Sequence, residues 1–190
     1  MTLLSSVEGT KSLHYVASLN EAGQSVYWVE QIRTDLGVLW NYPTYSELYL
    51  YKEKRWLYFD HQKREISETE EDSLPSALAT TSEPVEHFMR FLEEAVIKKL
   101  HRKTKPLMRR SDRYLGVPVT WVELYDTENM LIAQSCVGRL AGQVLLLRLL
   151  LMLDRDGLFV WDTVGVRRGS FSRSLFSPPE GYRWRSEKKP

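Results

Sequence analysis

Hydrophobic and polar positions fall into three regimes along the chain. Over the first sixty residues, short runs rich in Trp, Tyr and Val alternate with polar turns. Residues 13–19 and 26–33 flank Asn20-Glu21-Ala22-Gly23, where Gly can take a positive φ, and 37–42, 47–51 and 55–59 follow. Aromatic and β-branched content of this kind predicts an antiparallel β meander. The middle regime has helical spacing. Val85, Phe88, Leu92, Ala95, Val96 and Leu100 recur three and four apart, behind Ser82 as a cap and Pro84 in the first turn. The spacing predicts an amphipathic helix over 83–100, limited by Pro106.

The third regime is β-rich again. Residues 117–125 and 130–137 flank Asp126-Thr127-Glu128-Asn129, and 149–153 and 158–164 flank Asp154-Arg155-Asp156-Gly157. Residues 139–149 are apolar on all sides, which suits a buried helix and a long strand about equally. Between meander and helix, residues 67–82 are dominated by Glu, Ser, Thr and Asp and predict a mobile acidic loop. From 167 to 190, Ser, Arg, Pro and Gly predict a basic tail, docked in part through Phe171, Phe176, Tyr182 and Trp184. The expected fold class is therefore α+β. One domain over 1–166 would place a meander, a central helix and a second antiparallel half together, as a curved sheet or small barrel packed on the helix.

Composition narrows the class. The 190 residues suffice for one well-packed domain, and 43% hydrophobic with 27% charged content is that of a folded protein. The single cysteine, Cys136, excludes an intrachain disulfide. No basic, apolar leader opens the chain. The apolar run 144–153 is about half the ~20 residues a membrane span needs, and Arg148 interrupts it. An intracellular, cytoplasmic or nuclear protein is expected, neither secreted nor membrane-spanning.

Charge adds the main functional signal. Residues 65–94 carry nine acidic side chains and one basic, whereas 98–113 carry eight basic and one acidic. The acidic start and basic end of the predicted helix suit its dipole. The dipole does not account for the cations beyond the helix end. Lys98, Lys99, Arg102, Lys103, Lys105, Arg109, Arg110 and Arg113 therefore form the candidate anion- or partner-binding surface. Its partner would be an acidic protein, giving an adaptor. The alternatives are nucleic acid, with Trp40, Tyr45 and Trp56 stacking on bases, and an anionic membrane or nucleoprotein bound in the manner of a viral matrix or accessory protein. Core packing is the competing role for those aromatics.

Catalytic chemistry finds no motif. His14, His61, His87 and His101 lack metal-ligand spacing; the last two, fourteen apart, would be ~21 Å apart on a helix. Cys136 sits in an apolar context that suits an inert thiol. No nucleophile elbow, Walker loop or dinucleotide fingerprint occurs, so a non-enzymatic protein without cofactor or metal is expected. Trp56-Leu57-Tyr58-Phe59-Asp60-His61-Gln62-Lys63-Arg64 resembles the middle hairpin of a WW domain over fewer than ten residues. That family's leading Leu-Pro-x-Gly-Trp and closing Trp-x-x-Pro are absent, so the resemblance implies no proline-ligand site. Arg167-Arg168-Gly169-Ser170-Phe171 and Ser177-Pro178 fit kinase-site patterns, making Ser170 and Ser177 candidate phosphorylation sites.

Overall fold

A computed structural model describes residues 6–20, 23–69, 103–152 and 157–185. These residues build one sheet from twelve strands: β1 (Ser6–Asn20), β2 (Gly23–Thr34), β3 (Gly37–Asn41), β4 (Tyr45–Leu50), β5 (Arg55–Asp60), β6 (Glu65–Thr69), β7 (Met108–Tyr114), β8 (Val117–Tyr125), β9 (Leu131–Leu140), β10 (Gln143–Met152), β11 (Leu158–Ser172) and β12 (Arg183–Trp184). Their order is β12-β6-β5-β4-β3-β2-β1-β11-β10-β9-β8-β7. Two meanders, β1–β6 and β7–β11, are thus joined edge to edge where β1 pairs antiparallel with β11. Among the described residues only the pairing of β12 with β6 is parallel.

The α+β expectation is corrected to an all-β sheet among the described residues. The expected central helix over 83–100 lies outside them, as does most of the acidic loop at 67–82. Two further expectations change. The ambiguous stretch 139–149 is strand, turn and strand: Ala141 and Gly142 both have positive φ, 51° and 76°, between the paired ends Leu140 and Gln143. Two positive-φ residues make the mirror-type turn whose twist matches paired strands. In the expected tail, β11 runs through Arg167 and Arg168 to Ser172, along β1 from Leu19 back to Ser6.

Leu115-Gly116 repeats the same turn between β7 and β8, at φ 51° and 76°. Leucine is a costly choice there, and it is exposed. Leu115→Asn is expected to raise the urea-unfolding free energy by about 0.5–1 kcal/mol, since Asn tolerates the left-handed region.

Strand periodicity assigns the two faces. Leu39, Leu48 and Leu57 stand opposite one another across β3, β4 and β5, and join Val7, Ile32, Phe59 and Ile66 on the back face. The chain after β11 covers this cluster. A short 3-10 turn, η1 (Arg173–Phe176), buries Phe176 in it, and Tyr182 packs alongside before β12 begins. One residue out of phase, Val38, Trp40, Tyr49 and Trp56 point to the front face with Val16 and Val29. Front-face packing continues into the second meander, because Phe159 and Trp161 touch this cluster and also that of Val122, Leu124, Ala133 and Leu149.

Bulges bend the join. β10 carries an extra residue between Leu146 and Arg148, and β11 carries one where the β1 register shifts between Leu13 and His14. The β10–β11 ladder spans only Arg148–Met152 against Leu158–Asp162. Beyond that point the two strands follow different partners. The Tyr114 hydroxyl then donates to Asp162 Oδ1 at 2.7 Å, although β8, β9 and β10 lie between β7 and β11 in the sheet. Four strand spacings would be ~19 Å on a flat sheet, far beyond a tyrosine's reach. The second meander is therefore rolled, as bulged strands allow.

Candidate functional site

Register lays out the front face in rows. Ser12 stands opposite Gln31, Gln31 opposite Trp40, Trp40 opposite Glu47, and Glu47 opposite Tyr58. The next row runs Thr10, Arg33, Val38, Tyr49 and Trp56. The face therefore passes from a buried polar strip on β1 and β2 to an aromatic field on β3–β5.

His14 is the centre of the polar strip and is almost wholly buried. Its Nε2 lies 2.8 Å from Ser12 Oγ and its Nδ1 2.9 Å from Thr163 Oγ1, while Ser12 Oγ donates to Gln31 Oε1 at 3.4 Å. Donation from Ser12 to Gln31 would leave Nε2 as the donor to Ser12 and Nδ1 as the acceptor from Thr163. Trp161 lies against the imidazole, ring centroids 4.3 Å apart. Burial holds the imidazole down at about pKa 3, with the nearby Arg33 charge lowering it further against an opposing contribution from Gln31. This histidine is neutral at neutral pH. Arg33 itself is buried on the same face, near Tyr51.

The aromatic field surrounds a single carboxylate. Trp40 and Trp56 stack with centroids 5.2 Å apart, and Tyr45 lies between Tyr42 at 4.3 Å and Tyr58 at 5.0 Å, both stacked. Tyr27 approaches Tyr42 at 6.1 Å. Glu47 sits within this group, and burial pushes its carboxyl up to about 7. Burial and then the Glu47 charge raise the hydroxyls of Tyr27, Tyr42 and Tyr45. For Tyr58, burial and Asp60 come before Glu47. No basic side chain pairs with Glu47 among the described residues. Asp60, an acid on the same face opposite Tyr45, is closed off by Lys63 Nζ at 3.2 Å and by the backbone amides of Gln62 and Lys63.

The candidates read from sequence are dispersed. Lys98, Lys99 and Arg102 lie outside the described residues. Lys103 is exposed, and Lys105 Nζ donates to Asn129 Oδ1. Arg109, Arg110 and Arg113 are exposed on β7, where Arg110 covers the Trp121 ring at 5.0 Å and Arg113 donates to the Gly116 carbonyl at 2.6 Å. Trp40 and Trp56 are buried and Tyr45 is half-buried in its stack. Ser170 is held opposite Glu8 in the β1–β11 ladder, and Ser177 is exposed just after η1. Cys136 is buried, and burial pushes its thiol up to about 12. It is inert as a nucleophile.

One Ser–His pair does have hydrogen-bonding geometry. Ser46 Oγ lies 2.7 Å from His61 Nε2, and His61 Nδ1 lies 2.7 Å from the Tyr182 hydroxyl. Ser46 is buried, however, and its hydroxyl also meets Asn41 Oδ1 at 2.8 Å. The chain Asn41–Ser46–His61–Tyr182 fastens the covering segment to the back face. Among the described residues no group of three or more His, Cys, Asp or Glu is placed to hold a metal ion, and no helix is long and apolar enough to cross a membrane.

The residues missed from sequence are His14 and Glu47. Glu47 carried a readable signal: in Tyr45-Ser46-Glu47-Leu48-Tyr49-Leu50-Tyr51, a period of two puts the acid on the tyrosine face. His14 carried none, because its burial depends on Thr163 and Trp161, far away in sequence.

No protein-family model matches the chain, and no curated protein matches it. Solved structures do resemble it. A DUF1329 family protein from Desulfovibrio piger aligns over 92% of this chain and 91% of its own, with TM-score 0.48 and 8% identity. PNGF-II aligns over 93% of this chain but 30% of its own, with TM-score 0.46 and 13% identity. A domain from Vibrio parahaemolyticus, described as an outer membrane lipoprotein-sorting protein domain, aligns over 84% of this chain and 85% of its own, with TM-score 0.39 and 7% identity. The basic surface that carried the expected adaptor is dispersed, and that expectation is withdrawn, together with its cytoplasmic or nuclear location, its RNA-binding and matrix-type alternatives and the phosphoprotein expectation. The supposed stacking tryptophans are core, and Ser170 is locked in a ladder rather than presented as an extended substrate.

Proposed function

We propose that the chain is a non-catalytic binding protein for a small amphiphile, held by its apolar part against the front face of the sheet. One observation carries this. Tyr27, Tyr42, Tyr45, Tyr58, Phe159 and Trp161 are only half-buried, yet they share a face with the fully buried Val16, Val29, Trp40 and Trp56. Half-covered rings over a packed layer form an apolar surface with polar rims, the usual make-up of a small-molecule site. Phe159 and Trp161 extend it from the first meander to Leu149 and Leu151 of the second.

Titration with N-phenyl-1-naphthylamine, a neutral apolar fluorophore, tests the proposal. Saturable enhancement at micromolar probe is expected, weakened about tenfold or more by Phe159→Ala, which removes an aromatic contact while leaving the strand polarity unchanged. Circular dichroism of the variant checks that the sheet is intact. Enhancement that never saturates, or that is identical in the folded variant, overturns the proposal.

A further inference from the structure

Glu47 is a half-buried acid in a field of rings, with no cation opposite it among the described residues. Its own strand places Tyr45 and Tyr49 on either side. Across the ladders it meets Trp40 of β3 and Tyr58 of β5, and its charge also reaches Tyr27 of β2 and Tyr42 just after β3. Such a placement is costly for a structural carboxylate. A buried acid is ordinarily paired with Lys or Arg, or accepts several hydrogen bonds. The surroundings instead offer ring faces, whose negative quadrupole repels an anion and attracts a cation. Acid and rings together are complementary to one kind of group: a positive charge spread over an apolar surface.

We propose that Glu47, with Tyr27, Tyr42, Tyr45 and Tyr58, forms a recognition site for an alkylammonium group. The site rests on the binding function above in one respect, that the ammonium is the head of the same amphiphile. A quaternary or heavily alkylated ammonium matches the clustered ring faces and the single carboxylate, since it presents charge and apolar surface without hydrogen-bond donors.

The neighbouring titratable groups leave the acid in control. All four tyrosines are raised above their ordinary range and stay neutral at physiological pH. Asp60 is lowered by its bonds to Lys63 and Gln62 and keeps its charge throughout. Arg33 lies a row away, beside Tyr51. Binding of a cation therefore strengthens as Glu47 ionises, near pH 7.

Tetramethylammonium chloride is the probe, since it carries the charge and no chain. Its binding to the full chain is read by isothermal titration at constant ionic strength, against tert-butanol as neutral isostere and sodium as bare cation. Saturable millimolar binding of tetramethylammonium alone is expected, rising between pH 6 and 8. Glu47→Gln should weaken it by about tenfold or more, with circular dichroism confirming that the sheet is intact. Tyr45→Leu, which keeps an apolar side chain but removes a ring face, should weaken it by several fold. If tert-butanol binds as well as tetramethylammonium, or folded Glu47→Gln retains the wild-type affinity, the ammonium site is overturned. Loss of fluorophore binding in the wild type would instead overturn the amphiphile function beneath it.

Discussion

Acid unfolding is expected to follow an unusual profile, flat from about pH 6.5 to 4.5 and steep below. Two groups on the front face, His14 buried and Glu47 half-buried, titrate in opposition. His14 has its pKa held at about 3 in the fold against 6.5 when exposed. Between those values the unfolded chain binds a proton that the fold refuses, so this contribution is complete above 6.5 and is lost as pH falls toward 3. Glu47 does the reverse, its pKa rising from 4.5 to about 7 in the fold. Here the folded chain holds the extra proton, so stability is gained as pH falls from 7 to 4.5.

Each group contributes a slope of about 1.4 kcal/mol per pH unit across its own window. The two slopes cancel where the windows overlap. Below 4.5 only His14 remains, at a cost on the order of 2 kcal/mol. The lowered carboxyls of Asp60 and Glu68 steepen the same fall. Urea midpoints measured from pH 8 to 3 check this, and two variants separate the parts. Glu47→Gln should be more stable than wild type at pH 8 and should lose stability steadily from 6.5 downward. His14→Gln should be less stable at pH 8, through disturbance of the Ser12 and Thr163 bonds, but should gain stability as pH falls from 7 to 4.5. A wild-type profile with a continuous slope through that range would contradict the opposition.

Gly37→Ala is expected to cost about 3 kcal/mol or more, a fall of roughly 6–12 °C in Tm for a chain of this size. A Cβ at Gly37 would lie 2.1 Å from the Tyr49 carbonyl oxygen and 3.3 Å from the Leu50 Cα. Both are backbone atoms of the paired strand, so no side-chain rotation relieves the overlap, and the β3–β4 ladder must open. Gly9 faces the same obstacle in the Arg33 carbonyl oxygen at 2.2 Å. Gly165 is the control, because a Cβ there meets nothing within 4 Å. Gly165→Ala should be neutral or slightly stabilising, by lowering the entropy of the unfolded chain. Thermal melts of the two variants side by side decide the matter, and equal Tm losses would refute it.

Much of the first meander was legible because its strands carry aromatics and end in recognisable turns. Gly23, at φ 116°, indeed starts β2 opposite Asn20. The second half was obscured for three physical reasons. β10 has Leu145, Leu147 and Leu149 buried while Leu146, Leu150 and Leu151 are half-buried, so packing on both faces erases the alternation that distinguishes strand from helix. β11 reads as a polar tail because Arg167, Arg168 and Gly169 are held by β1 rather than by burial. β7, Met-Arg-Arg-Ser-Asp-Arg-Tyr, has no apolar face at all, since six of its seven residues are exposed. Its strand state comes from pairing with β8, a tertiary cause that local sequence does not carry. The same dependence hid His14, whereas Glu47 was visible in the alternation of its own strand.

The arginines of β7 have a consequence beyond the molecule itself. An open sheet ends in strands whose outer peptide groups are available, and such an edge is a template on which another chain can add itself. Among the described residues nothing pairs with the outer side of β7. A second copy arriving there would have to bring its own Arg109, Arg110 and Arg113 alongside these. Like charges opposed across a strand pair are destabilising. Arg109, Arg110 and Arg113 thus make the pairing of a second copy along β7 unfavourable.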